Sequence, residues 1–165
     1  MKEIKDIDPS LIVYSDESGI DDNEVPLTGW APRGKRCNAT KKAFRKTRFN
    51  ITAALNLNRL FAPFVFEGYS NAAVYETYVQ RVLAPALKPG QVVIIDNARF
   101  HKTKKIVELI ESAGCRIIFL PPYSPDLNPI EHCWALVKNA IRKAMEAIGN
   151  CYEATVKTLG EMCEA

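Results

Sequence analysis

Asp96, Glu131 and Asp16 are the residues through which this chain could do chemistry, and each also has a plain structural use. Asp96 closes the apolar run QVVIID and precedes Asn97, Ala98 and Arg99. Its carboxylate therefore falls where a parallel sheet opens a crevice at the carboxyl ends of its strands, although a turn aspartate capping its own loop has the same sequence. Glu131 follows the proline-rich stretch PYSPDLNPI. With Asn128 at the N-cap and Pro129 at the first helical position, it stands where a capping-box glutamate reaches back to the N-cap amide. The helix dipole favours a carboxylate there in any role, so the cap does not exclude catalysis. Lys138 and Arg142, seven and eleven residues further on, return to nearly the same helix azimuth. One helix line then carries an acid at its start and two cations about 10 and 16 Å along it. That geometry suits a metal site with a phosphate backbone passing beside it, and it equally suits a solvated face. Asp16 lies in LIVYSDESG, whose alternation puts Ile12, Tyr14 and Asp16 on one face of a strand and Glu17 on the other.

Lesser candidates have stronger structural uses. Glu17 and Asp126 read as structural acids, the latter bracing its loop. His101, five residues after Asp96, could contact a phosphate, but capping of the next helix or solvation accounts for it better. Tyr123 and Trp134 read as packing residues. His132 and Cys133 do not make a metal pair, because adjacent helical residues do not face one another. The five cysteines, at 37, 115, 133, 151 and 163, contain no C-x-x-C pair and read as free thiols.

The elements that must position these acids follow from hydrophobic periodicity. LIVYSDESG predicts a strand, and RFNITAALN with LFAPFVFEG predicts a hairpin turning around Asn58 and Arg59. A helix capped by Ser70 or Asn71 runs to about Leu87, with Val74, Tyr78, Val82 and Leu83 on one side and KPG as its stop. QVVIID and CRIIFLP are short buried strands, separated by the helix KTKKIVELIESAG with Ile106, Leu109, Ile110 and Ala113 on its apolar face. The last helix runs from Pro129 to about Ile148 on Ile130, Trp134, Val137, Ile141 and Ile148. Three sequential strands that can be antiparallel, then two βα crossovers adding parallel strands, describe an α/β fold of ribonuclease H-like type. Its mixed five-stranded sheet is flanked by helices.

At 165 residues and 47% hydrophobic composition, one domain with a real core is expected over 1–165, its core at about 10–148. No apolar run is long enough to span a bilayer, and MKEIKDIDPS lacks the apolar centre of a signal peptide, so a cytoplasmic location without membrane contact is expected. The net charge is only +3, but its distribution is uneven. Residues 1–24 are acidic, whereas from Pro26 to Phe66 there is no Asp or Glu, and Arg33, Lys35, Arg36, Lys41, Lys42, Arg45, Lys46, Arg48 and Arg59 accumulate. Such a segment is either a solvated loop or a phosphate-binding surface.

The stretches YSDESGI, GWAPRGK, VVIIDNARFHK and LPPYSPDLNPIEHCWALVK resemble the catalytic domain of DDE transposases of the mariner-related superfamily, in particular those of bacterial insertion sequences. The match runs from about residue 10 to 145. The most specific signal is the proline-rich loop entering N-P-I-E, with 34 residues between Asp96 and Glu131. The resemblance implies a ribonuclease H-like fold and a catalytic, metal-binding triad of Asp16, Asp96 and Glu131. Two carboxylates about 4 Å apart repel by about 4 kcal/mol at an effective dielectric of 20, so a converging trio calls for cations. The implied cofactor is a pair of Mg²⁺ ions, replaceable by Mn²⁺, spaced to hold the attacking and leaving oxygens of an in-line phosphoryl displacement. Asp16 and Asp96 would bind most directly and Glu131 would complete the second site. In that family water first frees a 3′-hydroxyl, which then attacks target DNA.

The implied partners are transposon ends and target DNA, contacted through Arg33, Lys35, Arg36, Lys41, Lys42, Arg45, Lys138 and Arg142, with a homodimer compatible. In that family a helical DNA-binding region precedes the catalytic domain. Here Met1 lies about ten residues ahead of the first strand. The expectation is therefore that helix-turn-helix modules are absent and made separately or by frameshift, in a bacterial cytoplasm close to the nucleoid. Two other classes stay open: an inactive DNA-binding remnant, and another ribonuclease H-like nuclease such as a junction resolvase or RNA-strand hydrolase.

Overall fold

A computed structural model describes residues 4, 6–24, 30–36, 47–122 and 124–164. Of the expected DNA contacts, Lys41, Lys42 and Arg45 lie outside the described residues, as do Cys37 and Tyr123.

Five strands form one mixed sheet: β1 (Ile12–Asp21), β2 (Arg48–Asn56), β3 (Arg59–Glu67), β4 (Val92–Ile95) and β5 (Arg116–Phe119), in the order β3-β2-β1-β4-β5. The first three are antiparallel neighbours, while β4 and β5 add in parallel, as the intervening helices require. The β2–β3 hairpin turns at Leu57, whose φ is 54°, and β3 carries a bulge where Ala62 adopts φ 51° ahead of Pro63. All four residues of β4 are buried, which explains why its sequence is apolar without alternation.

Helices cover both faces. The first, α1, spans residues 72–86. Asn71 caps it by accepting from Val74 N at 3.0 Å, as its sequence predicts. It is not one regular helix, however: Ala72–Tyr78 and Ala84–Ala86 are α-helical, and Val79–Leu83 is wound wider as a π turn. Pro85 accounts for this, because it lacks an N–H and its ring clashes with the carbonyl four residues back. With α2 (Lys104–Ser112) this helix packs on the face showing Val13, Ala54, Val93 and Ile95, through Tyr75, Tyr78, Leu83, Ile106 and Ile110.

The opposite face of β1–β3 shows Ile20, Ile51, Ala53, Leu55 and Leu60 to α3 (Ile130–Ile148) and α4 (Cys151–Glu164). Ile130, Trp134, Val137 and Ile141 form the buried stripe of α3, and full burial of each aliphatic side chain is worth about 1.5–3 kcal/mol. Gly149, at φ 75°, ends α3 in the left-handed conformation that glycine permits. The helix α4 extends the folded unit beyond the core end expected at 148. Its buried positions, Cys151, Ala154, Thr155, Thr158 and Leu159, have helical spacing but only one strongly apolar member. Among the described residues the cysteines are free, and no helix is long and apolar enough to cross a membrane.

Candidate active site

Asp16 and Asp96 are brought together by strand register. The parallel β1–β4 ladder ends with Ser15 beside Ile95, and the residue after each is an aspartate: Asp96 just past the end of β4, and Asp16 where β1 runs on beyond its parallel neighbour. Val13 and Ser15 face α1, where Ser15 Oγ lies 3.2 Å from Tyr75 Oη. Alternation turns Asp16 the other way, toward α3. There Trp134 Nε1 donates to Asp16 Oδ2 at 3.2 Å. The packing role expected of Trp134 is thus joined by a polar one, for which residues 118 positions apart give no sequence signal.

Glu131, in the first turn of α3, is exposed and lines the same cleft as both aspartates. The cleft, of about 480 Å³, is completed by Asn97, Ala98, Arg99, Leu120, Pro121, Pro122, Ser124 and Asn128. The capping box is not made: among the described residues no side chain caps α3, and Asn128 Oδ1 is buried without a partner. Glu131 is therefore free of the structural duty that its position suggests. A second hollow of about 260 Å³ opens beside the same two aspartates and is lined by Glu17, Ser18, Arg48, Asn50 and Ser70.

Burial dominates the electrostatics of Asp16. Desolvation, reinforced by the charges of Glu131 and Glu17, pushes its carboxyl up to about 7 despite hydrogen bonds from the Glu17 amide and Trp134. Asp96 moves the other way. Partial burial would raise it, but hydrogen bonds from His101 and the Ala98 amide hold it below the usual carboxylate range. Asp96 Oδ1 accepts from Ala98 N at 3.0 Å and also meets His101 Nδ1, so the turn role considered for Asp96 coexists with its place at the cleft. His101 neither caps a helix nor sits in solvent; it is buried between Asp96 and Glu17. Burial alone would lower its pKa, but bonds to the two carboxylates outweigh that and raise it to about 9.

Of the expected DNA contacts, Arg33, Lys35 and Arg36 are exposed near a turn in which Lys35 N donates to Pro32 O. Lys138 is half-buried on α3. Arg142 is not a free cation on the helix face: its Nε donates to Glu24 Oε2 at 2.7 Å, and its side chain is only 13% exposed. Glu24, just beyond β1, was acidic context in the sequence; in the fold it pins that segment to α3. Asp126 is exposed on the turn Pro125–Leu127.

The donor set fits a hard divalent cation. Three carboxylates line one cleft together with Asn97 and Asn128, whose amide oxygens are buried without a hydrogen-bond partner among the described residues. Oxygen-only donors suit Mg²⁺ or Mn²⁺. The acids are not closed onto a point: among the described residues no three His, Cys, Asp or Glu side chains stand ready to hold an ion. Trp134 and His101 restrain one oxygen each of the aspartates, while Glu131 sits on an exposed first turn.

A ribonuclease H-like α/β sheet with acids at the carboxyl edge of its central strands, and a third at the start of the covering helix, defines a class of polynucleotide-processing domain. Residues 11–150 match the family model described as DDE superfamily endonuclease, and the chain belongs to that family. No curated protein sequence matches it. Among solved structures, the Mos1 strand transfer complex shares 18% identity at a TM-score of 0.61, covering 94% of this chain and 52% of that one. The Mos1 transposase paired-end complex with left transposon end gives 16% and 0.62 over 99% and 55%. The catalytic core domain of BIV integrase gives 13% and 0.55 over 91% and 81%. The chain spans about half the length of the Mos1 chains in those two complexes, and at these identities the likeness is one of fold.

Proposed function

We propose that this chain is the catalytic domain of a DNA transposase, cutting DNA strands and joining the freed 3′ ends to target DNA with Mg²⁺ or Mn²⁺ held by Asp16, Asp96 and Glu131. The observation that carries this reading is that those three acids, from separate parts of the chain, line one cleft. Similar solved structures include Mos1 paired-end complexes with Mg and with Mn, which supports the choice of ion. When bound, the ions supply the positive charge and Lewis acidity that an in-line displacement at phosphorus needs.

The protein's own contribution is placement. Asp16 is buried and its Oδ2 is fixed by Trp134, which sets one carboxylate direction before substrate arrives. Asp96 presents from the strand edge, and Glu131, on an exposed first turn with no cap to hold it, can close over the site. Arg99, exposed at the cleft rim, suits a phosphate oxygen, as does Lys138 on α3. The two hollows meeting at Asp16 and Asp96 give a strand room on both sides of the phosphorus.

The test compares wild type and Glu131→Gln on duplex DNA, a four-way junction and an RNA/DNA hybrid, with Mg²⁺ or Mn²⁺. Duplex cleavage by wild type and a loss of at least about 100-fold in the variant are expected, the scale of removing one group that stabilises transition-state charge. Wild-type rates from Glu131→Gln would remove that residue from catalysis, and cutting confined to the junction or the hybrid would replace the transposase reading by a resolvase or RNA-strand hydrolase.

A further inference from the structure

His101 is linked to the cleft without being part of its main wall. Its imidazole is 1% exposed and packs against Tyr75 and Phe100 with ring centroids 4.0 and 4.2 Å away. Both ring nitrogens meet carboxylates. Nδ1 bonds Asp96 Oδ1, and Nε2 lies 3.0 Å from Glu17 Oε1. Glu17 also accepts from Ser70 Oγ at 3.3 Å, so β1, the turn after β4 and the segment leading into α1 are tied at one point.

We propose that His101, itself oriented by Glu17, is a positioning residue for Asp96: it holds Oδ1 inside the protein so that Oδ2 is presented to a divalent cation in the cleft. This rests on the reading of Asp96 as a metal-holding carboxylate. Asp96 stands just past the end of β4, with a side chain 47% exposed, and without a partner its carboxylate would be free to rotate. The Ala98 amide and His101 both engage Oδ1, while Oδ2 makes no hydrogen bond among the described residues. Taking the His101 imidazole out of water is unfavourable unless both ring nitrogens are paired, as they are here by Asp96 and Glu17, whereas a turn aspartate alone needs only its own loop amides. Carboxylates that bind metals are themselves commonly hydrogen-bonded from behind, which fixes their orientation.

Two conservative variants separate this role from packing. In His101→Asn the amide nitrogen can take the place of Nδ1 and keep the bond to Asp96. In His101→Gln it reaches the place of Nε2 and keeps only the bond to Glu17. Mn²⁺ binding to each protein, read from the free-ion electron paramagnetic resonance signal, is compared with melting temperature and with the Mn²⁺ dependence of DNA cleavage. The Gln variant is expected to need about 10- to 100-fold more Mn²⁺ for half-saturation, with the Asn variant recovering most of that loss even if both melt earlier than wild type. Equal Mn²⁺ affinities in the two variants, or affinities that follow melting temperature alone, would overturn the proposal. A wild-type chain that binds no Mn²⁺ would sink the metal-site reading itself, and this role with it.

Discussion

Asp16 meets two opposing conditions: its main chain is fixed in the central strand of the sheet, and its side chain is only 8% exposed. Burial raises its carboxyl from the ordinary 3.8 to about 7, a difference worth about 4 kcal/mol between its two protonation states. The direction of the stability effect follows. Between about pH 4 and pH 7 the unfolded chain has released this proton and the folded chain retains it, so stability falls as pH rises through that window. His101 acts in the same direction at higher pH. Its raised folded value of about 9 gives stability that is full below 6.5 and lost as pH rises through 9. Asp96, held low, gives stability that is present above 3.8 and lost as pH falls below it. Thermal melts in chelator should therefore show Asp16→Asn more stable than wild type at about pH 8 and little different at about pH 4. An equal gain at both values would show that the asparagine acts through packing and not by removing a buried charge. If Asp16 holds a divalent ion as proposed, the metal should reverse the order at pH 8, because it stabilises the ionised carboxylate of the wild type only.

At the scale of elements, α4 is the part of the fold that the sequence conceals. Gly149 and Asn150 mark a stop and a start: Asn150 Oδ1 accepts from Glu153 N at 3.2 Å, and an Asn followed three residues later by Glu is a capping pattern. The stripe behind it is built from Cys151, Ala154, Thr155, Thr158 and Leu159, with Thr155 Oγ1 satisfied by Cys151 O at 2.7 Å. Buried threonines, one of them bonded to its own helix, hide this face from any count of leucines and isoleucines. Leu159, 2% exposed against the β1–β3 face, carries most of its aliphatic contact. Leu159→Ala is expected to destabilise the protein by about 2–5 kcal/mol in denaturant unfolding, and a change below about 0.5 kcal/mol would mean that α4 is only loosely docked. The strands and the other helices were legible because β-branched runs, an Asn cap and regular stripes state their period outright. The position of the cleft was legible for a related reason: a parallel ladder dictates that Asp96 leaves at the carboxyl edge. What was not legible depends on tertiary contact alone. Trp134 reaching Asp16, His101 joining Glu17 to Asp96, Glu24 engaging Arg142 and Asn128 failing to cap α3 all depend on side chains whose proximity no local pattern encodes.

Across the whole molecule the charges divide rather than sum. Lys and Arg number 22 against 19 Asp and Glu, a balance too even to attract DNA by net charge alone, yet the acids are dense before Pro26 while 26–66 contains none. Some of that basic charge is already engaged. Arg48 lies 3.4 Å from Asp21, and Arg59 donates to Cys163 O. Arg33, Lys35 and Arg36 are exposed, so an external anion can reach them, and under the proposed function a DNA strand entering a cleft lined by carboxylates calls for compensating cations. Each phosphate neutralised by such a residue releases condensed counterions and steepens the fall of log K with log salt by about 0.9. Replacing Arg33, Lys35 and Arg36 by serine should therefore flatten that slope by about 0.9 for each contact made, up to about 2.7 if all three touch phosphate. Folding should be unaffected, since solvated side chains away from the core contribute within about 0.5 kcal/mol. Fluorescence anisotropy of a labelled duplex across a salt series measures the slope, and circular dichroism melting controls for the fold. A slope that stays at the wild-type value in a normally folded variant would make this part of the segment a solvated loop, leaving DNA affinity to Lys138 and the cleft.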